Sequence, residues 1–365
     1  MLREAPVVYA VEQEYQIVLR VNEPCLCSVL VGKHEFYDVN NGILRSDSLI
    51  HRVTVPMVLL DSEKEYTVCL RSVTDRKPYF TETGELREYP FAFRPVPPFG
   101  ARAFHVSDVH ERTEYAVEAA KAFGFMDFLI LNGDLANHNG NELQADVLFA
   151  ITSAVTGGEL PVVFARGNHD TRGAYAERFT DCIPLYNGRT YYTFRLGGIW
   201  GVVLDCGEDK PDSHAEYGYT VQFRAFREEE TRFLETVAQE KAYEADGVHT
   251  RLVIVHNPFT HQLQEPFNIE AECYRHWASI LADCIRPDLM LCGHLHTLGV
   301  HGRGTAFDHL GQPCTLVVGG EPCGDGYIGV GFEFGVDRIR VGRADSSGTV
   351  AAMVEIVDKG GSACV

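Results

Sequence analysis

Five apolar stretches of this chain each run straight into Asp, His or Asn, and that pattern constrains the fold more than any other feature. Leu160-Pro161-Val162-Val163-Phe164-Ala165 leads into Gly167-Asn168-His169-Asp170. Residues 103–107 lead into Asp108-Val109-His110, and 128–132 into Gly133-Asp134. Residues 252–255 lead into His256-Asn257-Pro258, and 289–292 into Gly293-His294-Leu295-His296. Short unbroken apolar runs of this kind suit strands buried on both faces, as in parallel sheets. Ligand sites in such sheets lie just beyond the carboxyl ends of the strands. One polar strand end is ordinary structure, but five that end in the same few residue types point to a shared site.

Carboxylate, amide and imidazole groups suit hard or borderline cations, whereas soft sites need thiolates. The strand ends supply Asp108, His110, Asp134, Asn168, His256, His294 and His296. Seven ligands are too many for one tetrahedral ion and suit two ions that share a bridging group. Paired ions clamp an in-line displacement at phosphorus and generate hydroxide near neutral pH. Residues two apart on an extended chain share one side, which places Asp108 with His110. His294 and His296 are also two apart, so each can face a different ion.

From residue 101 strands alternate with helices. Helices are predicted over 111–125, 141–155, 172–179, 222–243 and 271–284. Tyr115, Ala119 and Ala122 form the buried face of the first, and Phe226, Phe233, Leu234 and Val237 that of the fourth. Gly197-Gly198 joins strands 191–196 and 199–205 as a hairpin. After His296 the chain returns to strands over 314–318, 328–335, 338–341 and 349–356. Two sheets packed face to face with helices outside would bury the apolar runs on both faces.

Residues 7–93 read differently. Residues 14–21, 25–31 and 50–58 alternate with period two, as half-buried strands do. Tyr66 opens a further alternating strand six residues after Leu60, which resembles the tyrosine corner of immunoglobulin-like and fibronectin type III sandwiches. A small β-sandwich without chemistry is expected here, with His34 and His51 at its surface or edges. Pro95, Pro97 and Pro98 stiffen the linker 94–100, so the sandwich should keep a fixed pose.

Bulk properties exclude several classes. The chain has 365 residues and a net charge of −19, which disfavours nucleic acid and anionic lipid as partners. No run approaches the roughly 18 apolar residues of a membrane span, and the first residues hold no apolar core of signal-peptide length. Eleven scattered cysteines with no Cys-x-x-Cys pair read as reduced thiols. A cytoplasmic protein acting on a small phosphate ester is expected. Its oligomeric state is left open.

Asp108-x-His110, Gly133-Asp134, Gly167-Asn168-His169-Asp170, His256 and Gly293-His294-x-His296 occur in the order of the calcineurin-like metallophosphoesterase superfamily, and residues 101–356 resemble it. The resemblance implies a four-layer αββα metallophosphoesterase sandwich, an α/β fold, preceded here by the small all-β sandwich domain. The expected division is 1–93, 94–100, 101–357 and a flexible tail over 358–365. It implies one ion held by Asp108, His110, Asp134 and His296, and a second by Asp134, Asn168, His256 and His294. The ions would be Zn, Mn or Fe, and a metal-bridging hydroxide would hydrolyse a phosphomonoester or phosphodiester. His169 would be an acid near the leaving oxygen, oriented by a carboxylate such as Asp170 or Asp108. The alternative is a catalytically weak scaffold of the same fold, disfavoured because no ligand is lost.

The N-terminal sandwich and Val253-x-x-His256 also resemble purple acid phosphatases. Two positions depart from that branch. Its first motif ends in Gly where this chain has His110, and it carries a Tyr ligand where this chain has Asn137. Around the site, Arg172 could hold a phosphate oxygen bidentately, and Asn137 and His138 could line the substrate pocket. Asp205, Glu208 and Asp209 end another strand and are candidates to touch substrate or a bound water. His105 is read as a satisfied core residue, and His301 and His309 carry no partner pattern.

Overall fold

Alternate side chains of the central strands enter two different cores, which explains the unbroken apolar runs. In the computed structural model, which describes residues 1–357, Leu252 and Ile254 of the strand Thr250–Val255 face one core while Val253 and Val255 face another. Leu289–Cys292 divides the same way, Leu289 and Leu291 from Met290 and Cys292. The tail expected at 358–365 lies outside the described residues.

The first core is shared by two sheets. The larger runs Val350–Val357, Arg338–Asp345, Gly326–Phe334, Ala101–Val106, Phe128–Asn132, Pro161–Ala165, Val7–Val11, Glu14–Arg20 and Ile50–Pro56, with Glu321–Cys323 attached to Gly326–Phe334. The smaller runs Tyr192–Leu196, Ile199–Leu204, Thr250–Val255, Leu289–Cys292, Thr315–Val318 and Gly299–His301. Helices Thr113–Phe123 and Ala145–Thr156 cover the outer face of the larger sheet. Helices Phe223–Glu240 and Ala271–Ile280 cover the smaller one, where Leu234, Val237 and Trp277 fill the second core. This is the helix–sheet–sheet–helix arrangement expected. Among the described residues no helix is long and apolar enough to cross a membrane.

The N-terminal all-β region is built into this body. Val7–Val11 lies parallel to Pro161–Ala165, with Val8 opposite Pro161 and Tyr9 opposite Val162. Three N-terminal strands therefore extend the large sheet. His34–Tyr37, Cys25–Val31, Glu65–Asp75 and Glu82–Ala92 form a separate four-stranded sheet. Tyr66 does not close a tyrosine corner within its own sheet. Its hydroxyl donates to the Gly158 carbonyl at 2.8 Å, beyond the end of Ala145–Thr156. The linker is held too: Phe99 stacks on His249, with ring centroids 5.2 Å apart.

Other local expectations shift. His51 lies on the edge strand Ile50–Pro56 but is fully buried there, and its Nδ1 pairs with Asp38 at 2.7 Å. A short helix, Met57–Glu63, interrupts the N-terminal strands. Tyr115 is exposed, and Ala116, Val117, Ala119 and Ala120 form the buried face of its helix. The helix expected over 172–179 shrinks to Ala176–Phe179, since Gly173 takes a positive φ of 98°. In Phe223–Glu240 the buried face includes Arg227 and Glu230, while Phe226 and Phe233 are only half-buried.

Candidate metal centre

The strand ends converge in the cleft between the two sheets. Ligand atoms of Asp108, His110 and His296 lie within 4.8 Å of one another, as do those of Asp134, His256 and His294. Asp108, His110, Asp134, His294 and His296 all sit at positive φ, between 46° and 71°. Non-glycine residues rarely adopt that region, and strain of this kind concentrates at functional sites. The motif glycines permit the crowding. A Cβ on Gly167 would collide with the Asp134 carboxylate, and one on Gly133 with the Gly167 backbone.

His256 is the most telling of these residues. Its Nδ1 donates to the Asn132 carbonyl at 2.6 Å, which turns Nε2 toward the cleft. That Nε2 is buried without a hydrogen-bond partner, 3.1 Å from Asp134 Oδ2 and 3.7 Å from Asp108 Oδ1. Asn168 Oδ1 likewise faces an acceptor, His294 Nδ1, at 3.0 Å. His110 and His296 bring their Nε2 atoms to 2.9 Å. A buried polar atom without a partner is costly, and a cation satisfies lone pairs, amide oxygens and carboxylates together. The donor set of imidazole, carboxylate and amide fits Zn, Mn or Fe.

The electrostatics describe the same need. Burial pushes Asp108 up to about 7 and holds His110 and His294 down at about 4. Burial works against a proton on His256, but the Asp134 and Asp108 carboxylates outweigh it and push that imidazole up to about 10. Burial would raise Asp134, yet His256 beside it holds its carboxyl below the usual range. The cleft thus calls for positive charge, which a cation supplies without a proton.

The residues next to the ligands have more local partners than expected. His169 Nδ1 pairs with the Asn137 carbonyl at 2.7 Å, not with a carboxylate. Its Nε2 lies 3.3 Å from Arg172 Nη1 and 3.9 Å from Asp134 Oδ2. Asp170 does not orient it. The Asp170 carboxylate turns back under the loop and accepts from the backbone N–H groups of Gly167 at 2.9 Å and Asp134 at 3.2 Å. It holds the turn that carries Asn168. Asp108 accepts from Ser107 at 2.7 Å and from the His294 backbone.

Arg172 grips Glu208 bidentately, at 2.9 and 2.8 Å, instead of standing free for phosphate. Asn137 is exposed and donates to Glu111 at 2.9 Å. His138 is exposed and accepts from the Gly140 backbone at 3.0 Å. His105 is buried but unsatisfied, with neither ring nitrogen partnered; burial pushes it down to about 3 and keeps it neutral. His261, Phe307 and His301 form a face-to-face stack that no motif announced. Asp209 reaches the Asn168 amide at 3.3 Å, a contact that its strand-end position hinted at without identifying.

The fold and this cluster define a metal-dependent hydrolase. Residues 101–298 match the model of the calcineurin-like phosphoesterases, more than half of the chain, and the chain belongs to that family. It is therefore a hydrolase acting on phosphoester bonds. No curated protein sequence matches it significantly. In fold it is similar to a purple acid phosphatase from seeds of yellow lupin (Lupinus luteus), with a TM-score of 0.63 and 14% identity over 98% of this chain and 75% of that one. It is also similar to PhoD, with a TM-score of 0.56 and 11% identity over 98% of this chain and 90% of that one. At these identities the likeness is one of fold.

Proposed function

We propose that the chain hydrolyses a small phosphate monoester or diester at a two-ion centre, with Asp134 shared between the ions. One observation carries the two-ion reading. His256 Nε2 stands 3.1 Å from Asp134 Oδ2 and 3.7 Å from Asp108 Oδ1, so the two clusters abut at one imidazole nitrogen. Zn, Mn or Fe held there would supply a water ionised near neutral pH and a clamp on the phosphoryl oxygens.

The chain's own groups do the rest. Asp108, His110, Asp134 and His296 would hold one ion, and Asp134, Asn168, His256 and His294 the other. Asp170 fixes the turn between Asp134 and Asn168. The Asn137 carbonyl sets the tautomer of His169, so that Nε2 is the nitrogen presented to the cleft. We assign His169, as the imidazolium that carries a second proton on Nε2, to proton delivery to the leaving oxygen. Asn137 and His138 form the exposed rim on that side. The net charge of −19 favours a small ester over nucleic acid or an anionic membrane surface. The ten described cysteines are all free thiols, which fits the cytoplasm.

The test is turnover of a panel of phosphate mono- and diesters with several added metals, on the wild-type chain and on His169→Ala. A general acid contributes about 10²–10⁴-fold, mostly where the leaving group is poor. His169→Ala should keep its metal content, lose rate on alkyl esters and spare nitrophenyl esters. Equal losses on both remove the acid role. No turnover of any ester by a chain loaded with two ions removes the hydrolytic reading.

A further inference from the structure

We propose that Asp209 is a positioning residue for the metal centre: it holds the Asn168 amide with its oxygen turned toward the cation position of Asp134, His256 and His294. The proposal rests on the reading of that cluster as a cation site.

Asn168 is 1% exposed, so bulk water does not decide which way its amide points. Its Oδ1 lies 3.0 Å from His294 Nδ1, and its Nδ2 donates to Asp209 Oδ2 at 3.3 Å. The opposite orientation has partners too. Turned over, Nδ2 would donate to Asp134 Oδ2 at 3.2 Å and to His294 Nδ1 at 3.0 Å, and Oδ1 would accept from Arg172 Nη2 at 3.0 Å. Two orientations therefore compete. Asp134, His294 and Arg172 favour the turned-over one, while Asp209 and a cation favour the other. An amide nitrogen is a donor with no lone pair for a metal, so the turned-over Asn168 is no ligand.

Asp209 is built for this task. Lys210 Nζ at 2.9 Å, with Arg172 and Tyr217 at 3.3 Å, engages its Oδ1. Oδ2 is left to Asn168. The loop behind it is anchored by two buried polar side chains of Phe223–Glu240. Arg227 donates to the carbonyls of Cys206 and Glu208, and Glu230 accepts from the Asp205 backbone. The helix thus fixes the backbone leading to Asp209, and Lys210, Arg172 and Tyr217 fix its Oδ1.

The test is metal stoichiometry and stepwise affinity, read by equilibrium dialysis against buffered Zn²⁺ and metal analysis of the full chain. Outer-shell partners typically contribute 10–100-fold in metal affinity. Asp209→Ala should hold the first ion as the wild type does and bind the second about 10–100-fold more weakly. Asp209→Asn keeps an acceptor oxygen and should recover most of that affinity. Adding Arg172→Met to Asp209→Ala removes the pull on the turned-over oxygen and should restore the second ion in part. Glu208 keeps Thr171 and Tyr217 as donors in that variant. A merely structural role would not be rescued by removing a second partner. Asp209→Leu, close to aspartate in size and without an acceptor, should weaken the second ion in the same way, and it carries the test if Asp209→Ala does not fold. The proposal is overturned if Asp209→Ala, or Asp209→Leu in its place, binds both ions like the wild type, or if adding Arg172→Met deepens the loss. A wild-type chain with fewer than two ions overturns the two-ion reading and this one with it.

Discussion

Replacing Val8 by Ala should weaken the whole molecule and not the N-terminal strands alone. Val8 is fully buried in Val7–Val11, directly opposite Pro161 of the catalytic sheet. The change removes two methyl groups, at about 0.8 kcal/mol each for transfer. The cavity left behind brings the loss to about 2–3 kcal/mol. Set against a total stability of about 5–15 kcal/mol, that is a large fraction. Urea unfolding followed by tryptophan fluorescence measures it. The only two tryptophans, Trp200 and Trp277, both lie in the second core, away from Val8. Their transition reports the far side of the molecule. It should shift to lower urea by about 0.5–1 M, together with the far-ultraviolet circular dichroism. A tryptophan transition that stays put while a separate dichroism phase moves would refute the reasoning, and would mean that the N-terminal region unfolds independently. By the same logic, deleting residues 1–94 should abolish the cooperative tryptophan transition.

Three further outcomes follow from the site. With His256 pushed up to about 10 in the metal-free chain, cation binding at pH 7 must displace its proton. Affinity should therefore rise about tenfold per pH unit from 7 toward 10, while His110 and His294, already at about 4, add nothing above pH 5. Calorimetry in two buffers of different protonation heat should find at least one proton released per chain at pH 7, and none released would refute the assignment. Gly167→Ala drives a Cβ into the Asp134 carboxylate, so it should lower metal occupancy and melting temperature together; full occupancy by mass spectrometry would show that the loop can give way. Iron-loaded protein should show no strong visible charge-transfer band, because Asn137 stands where purple acid phosphatases carry a Tyr ligand. A blue-green band abolished by a Tyr→Phe change would mean that another phenol reaches the ions.

Much of the site was legible because its signals are local. Period-two burial on both faces produces unbroken apolar runs, and a residue at the end of such a run must lie at the sheet's carboxyl edge. That logic picked out the six carboxylates and imidazoles that gather in the two clusters, and the helix–sheet–sheet–helix body. It could not reach what depends on distant partners. Nothing in residues 7–11 shows that they pair with 161–165, since a parallel neighbour about 150 residues away leaves no periodic trace. Tyr66 has the spacing of a tyrosine corner, but its hydroxyl finds Gly158 because the large sheet brings that loop beside it. Asp170 and Asp209 are both acidic and close to Asn168. One is turned inward by backbone N–H groups, and the other is held against the amide by Lys210, Arg172 and Tyr217. Residue type and spacing determined which atoms could bind a cation. Only the packing of separate chain segments decided which way each of those atoms points, because orientation is set by hydrogen-bond partners that lie far away in the sequence.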